Sequence, residues 1–184
     1  QATAGNLCIN LPGETTCNTT LTPNGLLSQG NAVDFDTTTA VPSYKEGRMF
    51  YDNVEKAISY YNDESGVSLN IGQESLLRVR NASGATIAAA KAVYINGNHA
   101  GSGLPTVALA LSTDSAKSQV FGLAGHDIED QTFGYVFYFG QVTPINTSAY
   151  ADGTILYLSS SSAGDYGSTV PPYPNYRVQV GVVT

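Results

Sequence analysis

Tryptophan is absent from the 184 residues, methionine occurs once, and cysteine and histidine occur only twice each. There is no C-x-x-C pair, no H-E-x-x-H string and no histidine cluster, so no metal centre of familiar ligand spacing is expected. Charge is scarce as well. Asp, Glu, Lys and Arg make up 12% of the chain, about half the usual globular share. The eight basic residues are scattered singly apart from Arg78 and Arg80. A nucleic-acid partner is therefore not expected, because tracking phosphates needs a basic stripe that releases counterions. No apolar run approaches the ~18–20 residues needed to cross a bilayer, which removes a membrane partner from the expectations. Nucleophile-elbow and phosphate-cradling glycine patterns are also missing, so neither an enzyme nor a bound cofactor is expected.

What remains is rich in Gly, Ser, Thr, Asn and Tyr, with 42% hydrophobic residues and a net charge of −7. The hydrophobic share is too high for a disordered chain. β-Branched residues and tyrosine suit pleated, half-buried surfaces better than helices laced with ion pairs. The chain starts at Gln1 without methionine and stops on a strand-like Val182-Val183-Thr184, which reads as a processed product or an excerpt of a longer chain.

Residues 1–40 carry Leu-Pro-Gly, Thr-Pro-Asn-Gly and no Lys or Arg, and sustain neither helical nor strand periodicity. They read as an extended N-terminal arm ordered by neighbours. Its Cys8 and Cys17 admit two readings. One is a disulfide closing a small loop, worth about 2–3 kcal/mol; the other is two free thiols made in a reducing cytoplasm.

Strand signals begin after the arm. Arg48–Tyr51 and Ala57–Tyr61 flank a polar stretch and form a hairpin, and Asn62–Gly66 is a turn. Val67-Ser68-Leu69-Asn70-Ile71 then alternates at period two, placing one face on a core. Further runs at 76–80, 92–95, 106–111, 120–124, 133–142, 155–158 and 176–180 bring the total to about ten short strands. The expected fold class is all-β: an antiparallel β-sandwich or barrel. The expected divisions are residues 1–40 (arm), 41–74 (β-hairpin region) and 75–184 (sandwich or barrel domain). Only Ala85–Lys91 is compatible with helix, for a single turn at most. Charge-poor strands leave edges that favour pairing in a permanent oligomer or larger assembly.

His126-Asp127-Ile128-Glu129-Asp130 is the densest reactive string. Its carboxylates could bind a cation or flank a sugar bond. The plainer reading, preferred here, is a polar loop in which Asp127 or Asp130 fixes the turn. Most of the twelve tyrosines fall inside strands, as structural residues. Tyr150, Tyr166 and Tyr173 fall in loops and form the candidate contact surface. Asn18, Asn81 and Asn146 head glycosylation sequons, which arise readily by chance in so Asn/Thr-rich a chain.

An ordered series of strings carries a family resemblance. It runs from Glu46-Gly47-Arg48-Met49-Phe50-Tyr51-Asp52 through Ser59-Tyr60-Tyr61-Asn62-Asp63, Asn70-Ile71-Gly72-Gln73-Glu74 and Leu77-Arg78-Val79-Arg80-Asn81. Ala92–Ile95, Gly122–Ile128, Phe133–Val136, Asn146–Ser148, Gly153–Ser159 and Val180–Val183 continue it. Over about residues 40–184 the chain resembles structural proteins of tailed-bacteriophage virions, of the tail-fibre, appendage or capsid-surface kind. The resemblance implies a virion location and other virion proteins of tail, collar or capsid as partners. It implies no catalytic residues. A fibre or tail-appendage module, a trimer in that reading, is the first expectation. The alternatives are a capsid decoration protein stabilising the shell and a domain binding a host-surface receptor or glycan.

Overall fold

The structure, a computed structural model, describes residues 34–142 and 145–184. Thr37–Thr184 form one compact unit. Eleven strands and no helix occur among the described residues. The all-β fold expected from alternation is therefore present, and its centre is a barrel.

Strands β4 (Glu74–Asn81), β5 (Ala92–Asn98), β6 (Pro105–Leu109), β7 (Gly122–Ala124) and β8 (Phe133–Gly140) close in the order β4-β6-β5-β7-β8. All pairings are antiparallel except β4 with β6, which run parallel. Two three-stranded sheets accompany the barrel. The first is the meander β1 (Met49–Asp52), β2 (Ala57–Tyr61) and β3 (Ser68–Asn70). The second orders β10 (Tyr166–Gly167), β9 (Ile155–Leu158) and β11 (Gln179–Val182) around β9.

Alternation explains the core. In β4, Val79 and Asn81 are buried, while Arg78 before them is exposed and Arg80 between them is half-buried. Val79, Val93, Val107, Ala124 and Val136 fill the barrel together with Ile87 and Ile128, all at 0–1% exposure. Burying side chains of this size contributes about 1.5–3 kcal/mol each. Ala92 is buried beside Val93 for a different reason. Its side of β5 belongs to a second cluster with Ala110 and Leu158, lined by Tyr166, Val178 and Val180. One strand thus has the barrel interior on one face and the C-terminal sheet on the other.

No helical turn forms over Ala85–Lys91, the one stretch compatible with helix. Ile87 exchanges both backbone hydrogen bonds with Ile128, at 2.9 and 2.8 Å, and Ala90 N–H donates to Ala124 at 2.7 Å. These long-range pairings take the donors an isolated turn would use, and Ala90 adopts φ 62°. Short alanine runs have too little helical stability to compete.

Candidate functional site

The turn Asn62–Gly66 is set locally. Asn62 Oδ1 accepts from Glu64 N–H at 2.8 Å, and Val67 N–H donates to Glu64 at 3.1 Å. This geometry presents Asp63 and Glu64 to the outer wall of the barrel. There, Arg78 of β4 and Tyr135 of β8 are cross-strand partners and so project on the same side. Tyr135 Oη donates to Asp63 Oδ1 at 2.5 Å, and Arg78 lies 3.2 Å from Asp63 Oδ2. The guanidinium also sits 4.9 Å from the centre of the Phe133 ring, a favourable cation–π distance. Beside them, His126 Nε2 accepts from Tyr135 N–H at 3.3 Å, leaving Nδ1 facing Glu64 Oε2 at 3.6 Å.

The Tyr135 bond, with Arg78 beside it, holds the Asp63 carboxyl below its usual range. Burial, reinforced by Asp63, pushes the Tyr135 phenol up to about 12. A carboxylate made less basic and a phenol made less acidic are poor proton carriers. Together they form a stable charge-assisted pair. The cluster ties the meander sheet to the barrel, beside a shallow cavity of about 270 Å³ lined by Tyr60, Tyr61, Asn62 and Glu46.

Replacing Tyr135 with Phe is expected to cost under about 1 kcal/mol at neutral pH, since Asp63 and Arg78 are near half-exposed. The Asp63 pKa is depressed in the fold, so this stability is present above its unfolded pKa and is lost as pH falls through the folded one. Urea unfolding at pH 7 and pH 3 checks this: the gap between parent and variant should narrow at pH 3. Tyr135 acts at the other limb. Its raised pKa means stability is lost as pH climbs from 10.0, the ordinary phenol value, to about 12.

The sequence-derived candidates are dispersed. Cys8 and Cys17 lie outside the described residues. The string at 126–130 is divided by the fold: Ile128 enters the barrel core, while His126 faces the meander turn. Asp127 Oδ1 accepts from Ala89 N–H at 2.7 Å and Asp130 Oδ1 from Gly84 N–H at 2.9 Å. The carboxylates fix the backbone of a distant loop and not that of their own turn, where the plainer reading placed them. Among the described residues no group of three His, Cys, Asp or Glu is placed to hold a metal ion.

Of the three loop tyrosines, only Tyr173 is fully presented, at 97% exposure. Tyr166 belongs to β10 rather than to a loop and packs half-buried on the second cluster, where burial raises its pKa. It lines a groove of about 640 Å³ with Leu123, Leu156, Val180 and Val183. Tyr150 is also half-buried, its N–H bonded to Thr147. Among the sequons, Asn81 is fully buried and Asn146 is exposed.

The Asp63–Arg78–Tyr135 cluster was not legible beforehand, because the pairing of β4 with β8 joins segments more than fifty residues apart. Comparison of the chain with protein-family models, with curated proteins and with solved structures gives no match.

Proposed function

We propose that the chain is a non-enzymatic structural component of a tailed-bacteriophage particle. In this reading it is a β-rich fibre or tail-appendage module that assembles through its arm and strand edges. It is made in the host cytoplasm and then carried on the particle, with copies of itself and other virion proteins as partners.

The observation that carries the assembly half of this reading is the surface. Phe139, Val54 and Met49 are 71%, 74% and 55% exposed, and Ile71, Val182 and Tyr138 are close to half exposed. On a chain with only 12% charged residues, such a surface favours coverage by neighbours. The ordered strings from Glu46 onward support the phage half. The polar cluster around Asp63 suits a rigid joint, which a particle component needs.

Antibody labelling of purified particles in the electron microscope tests the position. Label on fibres or the tail end is expected. Label spread over the whole shell would transfer the protein to capsid decoration, and unlabelled particles would refute the reading.

A further inference from the structure

Both outer strands of the meander sheet have an edge, and the two edges are treated differently. On β3, Asn70 N–H is taken by the buried Glu74 carboxylate at 2.8 Å, and Asn70 C=O accepts from Gln73 N–H at 3.1 Å. A side chain and a turn thus plug that edge. On β1 no such plug exists among the described residues. Phe50 pairs with Ser59, and Tyr61 N–H donates to Arg48 C=O at 3.0 Å. Ile58 instead turns its carbonyl to β3, accepting from Ile71 at 2.8 Å. Backbone groups alternate in direction along an antiparallel strand. The N–H and C=O groups of Met49 and Tyr51 therefore point away from β2, along the open edge.

We propose that this edge is a homotypic docking surface, on which β1 of a second copy pairs antiparallel about a two-fold axis through Phe50. Three features of Arg48-Met49-Phe50-Tyr51-Asp52 make the strand complementary to itself. In this register Met49 lies opposite Tyr51 of the second copy and the reverse, so every outward N–H and C=O of both residues finds a partner. Shifting the register by two residues in either direction leaves part of them unused. Arg48 falls opposite Asp52 of the second copy at both ends, placing opposite charges together. Opposite charges at such positions stabilise a pair and like charges weaken it. On the outer face, the exposed Met49 thioether meets the Tyr51 ring, a favourable sulfur–aromatic contact. An isologous contact of this kind closes in pairs and does not propagate as an open edge would. The contact specifies one partner for the assembly reading above, yet it holds or fails whether or not the chain resides in a particle.

Sedimentation equilibrium of the full chain tests it, with incorporation into particles measured separately. The parent should show a concentration-dependent monomer–dimer equilibrium. Arg48→Glu and Asp52→Lys should each weaken self-association by about tenfold or more, since like charges then face each other twice. An equimolar mixture of the two variants should recover dimers, because the mixed pair restores both attractions. Asp52 Oδ1 also caps the hairpin loop, accepting from Val54 and Glu55 N–H, so a second variant is needed. Met49→Pro removes an outward donor and the Met49 thioether but no bond to β2, which an edge strand tolerates. It should abolish dimers with an unchanged thermal melt. A parent that stays monomeric, a Met49→Pro variant that dimerises like the parent, or a mixture no better than its components would overturn the proposal.

Discussion

Asn81→Asp should destabilise the fold by about 3–5 kcal/mol at neutral pH, more than Asn81→Ala at about 2–4 kcal/mol. Asn81 is fully buried at the end of β4. Its amide donates to Ala85 C=O at 2.7 Å and to Ile128 C=O at 2.8 Å, and its Oδ1 accepts from Ser83 N–H at 2.9 Å. One side chain therefore joins β4, the 83–89 loop and the strand-like segment at Ile128. Alanine removes these bonds, but each carbonyl keeps another donor: Ser83 Oγ on Ala85 and Ile87 N–H on Ile128. That moderates the loss. Aspartate keeps the shape and the acceptor for Ser83 but turns a negative oxygen on two carbonyl oxygens. An uncompensated buried charge costs more than a missing bond. Chemical denaturation of the three proteins at neutral and acid pH checks the ranking. The aspartate variant should recover towards the parent in acid, where its protonated carboxyl can donate again.

Gly122→Ala should cost about 3 kcal/mol or leave the barrel unformed. A Cβ on Gly122 would lie 2.1 Å from Phe137 O and 2.8 Å from Val136 Cγ1. The first is backbone, so no rotamer change relieves it. Strand β7 is only three residues long and is paired on both sides, with β5 and with β8. It has no free side towards which to retreat, and overpacking of this kind is destabilising. Gly181→Ala is the matched control. It lies in β11 with nothing within 4 Å of its Cβ position, and it should stay within about 0.5 kcal/mol of the parent. Thermal melts of the two variants side by side measure the contrast.

Both effects show where sequence patterning runs out. Period-two alternation marked the strands, and in the fold Val79, Val93, Val107 and Val136 share the barrel interior. The closing of β4 on β8, the parallel β4–β6 contact and the burial of Asn81 depend on which strands meet. That is decided by packing across the barrel rather than by any local string. Ala85–Lys91 illustrates the same limit from the other side: its alanines tolerate helix, yet Ile128 and Ala124 claim its backbone. Tyr166 looked like a loop residue because a two-residue strand leaves no periodic trace. The Asp63 cluster was hidden similarly. Asp63 read as turn chemistry and Arg78 as part of a strand, and only the fold brings Tyr135 to both. The self-complementary character of Arg48–Asp52 was present in the letters. Its meaning depended on knowing that β1 is an edge.

The central claim is that this chain is built into a particle as a structural part. Quantitative mass spectrometry of gradient-purified virions, counting copies against the major capsid protein, tests it most directly. A fixed copy number of about a dozen or a few dozen per particle is the expected result. Its absence from purified virions, with the protein recovered in the soluble fraction of the lysate, would contradict the account.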